Sequence, residues 1–179
     1  GDSTVSVAAA LINSLTISGG DLGSATDVLT LGTAYKTLKT VSSTWLGDIN
    51  ISLANYASTD GVTGVTFSSI GPLTANYSVT LSSYNDTVTI GKTSTTAGPT
   101  ITAGAGTADT LNMTVGAGFR DLDDITGFET INMAITAGDS ITIGASADEL
   151  DGIVGAKSLV ITGGNAVSTL TLGGANDKL

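Results

Sequence analysis

The chain has 179 residues, enough for one domain with a sizeable core or for two small domains. Its 16 acidic and 6 basic residues give a formal net charge of −10. This balance excludes nucleic acid as a partner that is bound through its phosphates, and it disfavours anionic membranes. Because Cys and His are both absent, thiol nucleophiles, Ser-His pairs and the usual zinc sites are excluded as well.

The two ends of the chain indicate a piece of a longer protein. The start, "GDSTVSVAAALI", has no basic segment of the kind that opens a secretory signal peptide, and the end, "GGANDKL", stops inside a Gly-rich motif. No apolar run reaches the length of a transmembrane helix, so we expect no membrane insertion. We therefore expect residues 1–179 to form a single domain within a longer chain.

The composition favours strands over helices. The chain contains 30 Thr residues but only 4% aromatic residues, so its interior must be built from Val, Ile, Leu and Ala. One short phrase recurs: a small or acidic residue, then apolar-Thr-apolar, then Gly or Ser. Its alternation predicts twelve short strands. In chain order they begin at or near Ser14, Asp27, Asp48, Gly64, Ser78, Asp86, Pro99, Asp109, Glu129, Asp139, Ser158 and Ser168.

The spacing of these strands predicts a coiled architecture. Intervals of 20 to 30 residues, with one strand between, separate Asp86 from Asp109, Asp109 from Asp139, and Asp139 from Ser168. Recurrence at this period is typical of a solenoid, so we predict an all-β, right-handed parallel β-helix with Gly-rich corners. An antiparallel β-sandwich is the alternative, but its tight hairpin signals are nearly absent.

Two segments interrupt the phrase. Residues 31–48 carry the only Trp and two lysines, and they predict an irregular loop or a long corner. Residues 146–158 open with Ser146 and have Glu149 three positions later, a pattern typical of a capped helical turn.

Several Gly-rich turns lead into an aspartate, as in "GGDLG" before Asp27 and "GAGTA" before Asp109. Glycine carbonyls and a following carboxylate are the oxygen ligands that Ca²⁺ prefers. The alternative is a purely structural role, in which Gly makes a corner and Asp caps exposed amides at the start of a strand. If calcium binds, its candidate ligands are Asp109, Asp121, Asp123, Asp124, Asp27, Asp86 and Asp177.

The phrase "GAGTADTLNMTV…ITGFETINM" resembles the repeats of bacterial surface-layer proteins and of calcium-dependent adhesins secreted by the type I route. The match is closest over residues 127–132. The resemblance implies an extracellular location on the bacterial cell surface, a parallel β-helix or β-roll, calcium-dependent assembly and no catalysis. The tandem calcium repeats typical of that family are missing here.

The acidic cluster of Arg120, Asp121, Asp123, Asp124 and Glu129 permits two other interpretations. Paired carboxylates on a β-helix could cleave an acidic glycan as a polysaccharide lyase or hydrolase does. A solvated corner, in which Arg120 pairs with a neighbouring Asp, is the simpler interpretation, and such a pair contributes only about 0–1 kcal/mol.

Thr-x-Thr pieces at Thr87, Thr100 and Thr169 suggest one more function, the binding of ice or another ordered surface. They do not recur at a constant interval along the chain, so the sequence predicts no regular array. The function we expect from the sequence is structural and non-enzymatic: self-association into a lattice or fibre, with a cell-surface glycan as a second candidate partner.

Overall fold

The computed structural model describes residues 4–7, 13–18, 27–31, 38–43, 49–69, 77–93, 100–115, 125–136, 140–143, 158–163 and 169–172. These residues form strands, turns and bends, and none of them lies in a helix that could cross a membrane. The strands are β1 (Thr4–Val7), β2 (Ser14–Ile17), β3 (Asp27–Leu31), β4 (Thr40–Ser43), β5 (Ile49–Ser52), β6 (Thr63–Ser69), β7 (Tyr77–Thr80), β8 (Asn85–Thr93), β9 (Thr100–Thr102), β10 (Thr110–Val115), β11 (Ile125–Thr126), β12 (Thr130–Ile135), β13 (Ser140–Ile143), β14 (Ser158–Thr162) and β15 (Thr169–Leu172).

Odd and even strands belong to different sheets. Strands β1, β3, β5, β7, β9 and β11 follow one another in a six-stranded sheet, and β2, β4, β6, β8, β10, β12 and β14 follow one another in a seven-stranded sheet. Strands β13 and β15 form a separate pair. Every pairing is parallel, so each coil of chain adds one strand to each sheet. This confirms the parallel β-solenoid and not the antiparallel sandwich; the right-handedness of the coil stays a prediction.

The number of residues per coil varies, and the prediction that the coil after Asp109 leads to Asp139 is wrong. Thr87 pairs with Thr110, so Asp86 and Asp109 begin neighbouring strands as predicted. Thr110 then pairs with Thr130, which places Glu129, and not Asp139, on the next coil after Asp109. The intervening strand β11 has only two residues, so the recurring sequence phrase did not predict it. Strand β13 pairs with β15 instead.

The strand register aligns apolar residues of both sheets in continuous columns. In the seven-stranded sheet the register aligns Leu15, Val41, Phe67, Val88, Leu111, Ile131 and Leu159. In the six-stranded sheet it aligns Val5, Leu29, Ile51, Val79, Ile101 and Ile125. Members of both columns pack in one buried cluster between the sheets. Each coil thus buries its apolar face against its neighbours, which is the source of solenoid stability.

Three strands lie outside the twelve predicted from the phrase: β1, β4 and β11. Strand β4 falls within residues 31–48, so the prediction of an irregular loop or corner there is wrong for Thr40–Ser43. Val41 is fully buried in the core, which explains why this segment enters the sheet. The predicted helical turn at residues 146–158 lies outside the described residues, apart from Ser158, which begins β14.

Ser and Thr residues are in register across the seven-stranded sheet. Pairing aligns Ser14, Thr40, Thr66, Thr87, Thr110, Thr130 and Ser158 in one unbroken column. The three Thr-x-Thr pieces noted in the sequence lie in three different sheets, on β8, β9 and β15, so they form no common array. The column described here is a different set of residues. The register is continuous at the positions of this column, but it shifts elsewhere in the same strands, between Thr63 and Thr66 and between Met113 and Val115.

Candidate functional site

Three carboxylates from consecutive coils form a column where the chain enters the seven-stranded sheet. Each accepts a hydrogen bond from the main chain of the preceding coil. Asp86 Oδ1 accepts from Val65 N at 2.5 Å, Asp109 Oδ1 accepts from Asp86 N at 2.6 Å, and Glu129 Oε2 accepts from Asp109 N at 2.7 Å. We call Asp86, Asp109 and Glu129 the carboxylate column. It satisfies main-chain donors that would otherwise be buried without a partner.

Asp86 is the most extensively bonded member of the carboxylate column. Besides Val65 N, it accepts a hydrogen bond at Oδ2 from Ser82 N at 3.0 Å. The Ser82 hydroxyl lies 2.9 Å and 2.8 Å from the two carboxylate oxygens. Ser82 and Asp86 are each only 1% exposed. Asp86 therefore fixes its own turn to the preceding coil through both oxygens.

Asp109 is fully buried but is less completely bonded. Its Oδ1 holds Asp86 N, whereas its Oδ2 has no hydrogen-bond partner among the described residues. Glu129 N and Thr130 N both donate to the main-chain carbonyl of Asp109, at 3.2 Å and 3.0 Å. Asp109 is thus tied to the coils on both sides, and one of its carboxylate oxygens carries an uncompensated cost of burial.

Two glycines make room for these carboxylates. A Cβ on Gly64 would lie 2.2 Å from Asp86 Oδ1, and a Cβ on Gly106 would lie 2.5 Å from Asp109 Oδ2. Distances this short exclude any larger residue unless the carboxylate moves. The Gly-rich turns are therefore required where the backbone meets a carboxylate, in addition to any turn conformation they allow.

Burial and crowding shift the protonation of the carboxylate column. Burial raises the pKa of Asp109 to about 6, the hydrogen bond from Asp86 N opposes the shift, and the negative charges of Asp86 and Glu129 add to it. Burial also raises the pKa of Asp86, against the hydrogen bonds from Val65 and Ser82. The column holds carboxylates of adjacent coils within mutual electrostatic range, so its charge is a cost to the folded state.

The predicted site residues fall into three groups. Asp86 and Asp109 cap amides, as the simpler sequence interpretation expects, although the amides belong to the preceding coil. Asp27 is the half-buried first residue of β3, and its register partner is the apolar Ile49. Arg120, Asp121, Asp123, Asp124 and Asp177 lie outside the described residues.

The sequence analysis did not single out Ser82, Gly64 or Gly106. Ser82 stands four positions before Asp86, Gly64 was placed at the start of a predicted strand, and Gly106 occurs in the Gly-rich turn before Asp109 that was interpreted as a corner or a calcium-binding loop. The available signal was the recurrence of Gly in the turns next to strand-initiating acids. It identifies a close approach of backbone and carboxylate only once the register of the coils is known.

The described residues contain no group of three or more acidic side chains that could hold a metal ion. The bonded oxygens of Asp86, Asp109 and Glu129 face main-chain donors rather than one another. The carboxylate column therefore does not fit a calcium ion. Calcium stays a prediction for this chain, and it concerns the remaining candidates Asp27, Asp121, Asp123, Asp124 and Asp177.

Comparison with known proteins gives no identification of the chain. No family model, no curated protein and no solved structure matches it.

Proposed function

We propose that this chain is a structural, self-associating segment of a secreted bacterial cell-surface protein of the surface-layer or adhesin type. The observation that carries the proposal is the carboxylate column, in which Asp86 and Asp109 are buried, Glu129 is half-buried, and all three are engaged with the main chain. Asp86 and Asp109 are 1% and 0% exposed, so neither is presented to a substrate. Their contacts join coil to coil, which is a structural task.

The ends of the two sheets supply the contacts for self-association. Among the described strands, β2 pairs only with β4, and β14 pairs only with β12. An unpaired strand edge presents N–H and C=O groups that pair readily with another chain. Because all pairing in this fold is parallel and runs coil on coil, a second copy stacking on β14 would continue the same sheet. We propose end-to-end joining of copies by this route.

Sedimentation velocity over a wide range of protein concentrations tests the proposal. The weight-average sedimentation coefficient is expected to rise with concentration. Val160→Lys is expected to reduce the rise, because Val160 lies on the edge strand β14 and is 48% exposed, and a lysine discourages edge pairing.

Thr89→Lys is the matched control for the charge. The strand register aligns Thr89 with Asn112, Asn132 and Val160 in one outward column. Thr89 lies on β8, which has a paired strand on each side and is not at the edge of the sheet. It is expected to associate like the wild type. A sedimentation coefficient that stays constant at every concentration would refute the proposed self-association, and equal effects of the two lysines would refute the edge as its site.

A further inference from the structure

The outer face of the seven-stranded sheet carries an ordered set of small polar side chains. The column from Ser14 to Thr130 contains Ser or Thr in six successive strands, and the register continues it to Ser158 on β14. A second outward column lies two residues further along each strand. It consists of Thr16, Ser42, Ser68, Thr89, Asn112, Asn132 and Val160. We call these two columns the hydroxyl face.

The hydroxyl face has a repeat in two directions. Neighbouring strands of a sheet are about 4.8 Å apart, and residues i and i+2 of a parallel strand are about 6.6 Å apart. Every position but one of the two columns is Ser, Thr or Asn; Val160 is the exception. A third, shorter column continues the pattern through Thr114, Ala134 and Thr162.

Contacts along the columns hold some of these side chains in fixed positions. Ser42 Oγ donates to Thr16 Oγ1 at 3.2 Å, and Asn132 Nδ2 donates to Asn112 Oδ1 at 2.9 Å. Ladders of side chains are one of the features that keep a sheet flat. The fold therefore already fixes these side chains, so a ligand that matches the array loses less binding free energy to ordering them.

The charge of the hydroxyl face restricts its partner. Neither column contains a charged or an aromatic residue, although the whole chain carries a net charge of −10. An acidic polymer would be repelled by the net negative charge of the chain. Glycan pockets are concave and rich in aromatic side chains, which this face lacks. A neutral, periodic hydrogen-bonding surface fits best.

We propose that the hydroxyl face binds ice. The surface of ice is an uncharged lattice of oxygen atoms with repeats of a few ångströms, and each oxygen donates and accepts hydrogen bonds. Ser and Thr hydroxyls do the same, and ordered water bridges such groups well. The proposal does not depend on self-association, because the hydroxyl face lies on the side of the coil stack and not at its ends.

Thermal hysteresis, the gap between the melting point of an ice crystal and its growth temperature, tests the proposal. The wild type is expected to show hysteresis and to shape the crystal. Thr89→Tyr is expected to lose most of it, because Thr89 is an exposed residue of the second column and a tyrosine ring would break the array. Tyrosine is itself a good strand residue, so folding should persist.

Asn50→Tyr is the matched control, since Asn50 is exposed at the centre of β5 in the other sheet. It is expected to keep the wild-type hysteresis. Two further variants are expected to increase it: Val160→Thr completes the second column, and Ala134→Thr completes the third between Thr114 and Thr162. Circular dichroism verifies that each variant is folded.

The proposal is overturned if the folded wild type at high concentration gives no more hysteresis or crystal shaping than an equal mass of serum albumin. It is also overturned if Thr89→Tyr and Asn50→Tyr behave alike, or if both completed arrays leave the hysteresis unchanged.

Discussion

The main-chain N–H of Asp86 donates a 2.6 Å hydrogen bond to Oδ1 of Asp109, the residue immediately before the neighbouring strand β10 one coil later. Each of these two residues caps the coil before it, and Glu129 repeats the contact on Asp109. The same bonds that join the coils therefore bring negative charges near one another in a buried place. Stability, pH dependence and the choice of glycine in the turns all follow from this relationship.

Removing the Asp86 carboxylate is expected to destabilise the fold. Asp86→Ala leaves Val65 N and Ser82 N without acceptors, and a buried unsatisfied donor costs about 1–3 kcal/mol. We expect a total loss of about 3 kcal/mol in the free energy of unfolding, measured by denaturant titration. Asp86→Asn keeps one acceptor oxygen and should lose less.

Asp60→Ala provides the control for this prediction, since exposed Asp60 also accepts from two amides, Val62 N and Thr63 N, but within its own turn. Its loss should be clearly smaller than that of Asp86→Ala. Equal losses would show that bonding between coils adds nothing to bonding within a turn.

Gly104 and Gly61 separate steric exclusion from backbone strain. Both have a positive φ, +92° and +71°. A Cβ on Gly104 would lie 1.9 Å from the Ser82 carbonyl oxygen, whereas a Cβ on Gly61 would have nothing within 4 Å. Gly61→Ala is expected to cost about 1–2 kcal/mol, the usual penalty for the left-handed region. Gly104→Ala should cost considerably more, and similar melting temperatures for the two variants would contradict the close approach of the coils.

The protein is expected to become more stable as the pH falls from about 6 to about 4. The folded-state pKa of Asp109 is raised to about 6, above its unfolded value near 3.9. Between these values the folded state binds more protons than the unfolded state, so stability decreases as the pH rises. The raised pKa of Asp86 acts in the same direction. Melting temperatures measured across this range check the sign.

General repulsion in a chain of charge −10 also weakens in acid, so this prediction requires a control. Asp109→Asn removes the titrating group and should reduce the slope of melting temperature against pH in this range. Asp60 does not interfere, because hydrogen bonds lower its pKa and its contribution is lost only below its unfolded value of 3.8. If the slope of melting temperature against pH is unchanged in Asp109→Asn, the pH dependence of stability comes from other groups in the chain.

Calcium is expected to raise the melting temperature more than sodium of matched ionic strength, with magnesium weaker because it dehydrates reluctantly. Matched sodium is needed because plain salt screens exposed charges. Since the carboxylate column does not fit the ion, Asp109→Asn should retain the calcium effect, and combined Asn substitutions at Asp121, Asp123 and Asp124, the cluster of remaining candidates, should reduce it most. Identical melting curves in calcium and sodium would contradict calcium binding by this chain.

The sequence predicts the strands well because the apolar-Thr-apolar phrase reflects a local physical requirement. Inward positions such as Val88 and Leu111 must be apolar, and their outward neighbours must be polar. The phrase fails for β11, since two residues are too few to show alternation. It fails for β4, where Ser43 is a fully buried polar residue at an inward position.

The stacking of the coils is less accessible from the sequence. The chain interval from Asp109 to Asp139 looked like the next coil, but Glu129 occupies that place. The same difficulty concealed the hydroxyl face, whose residues recur at unequal intervals and meet only through the register. Only part of the carboxylate column could be predicted from the sequence. Asp86 and Asp109 were recognised as acids at the starts of strands, but the amides that the column caps lie about 20 residues earlier in the chain.

Fibre diffraction from assemblies grown at high protein concentration tests the central claim most directly. End-to-end joining keeps every strand across the long axis of the assembly, so we predict a reflection at about 4.8 Å along that axis. Electron micrographs of the same sample should show unbranched filaments. A 4.8 Å reflection perpendicular to the axis, or a sample that remains monomeric at every concentration, would contradict the account of this chain as a segment that stacks coil on coil.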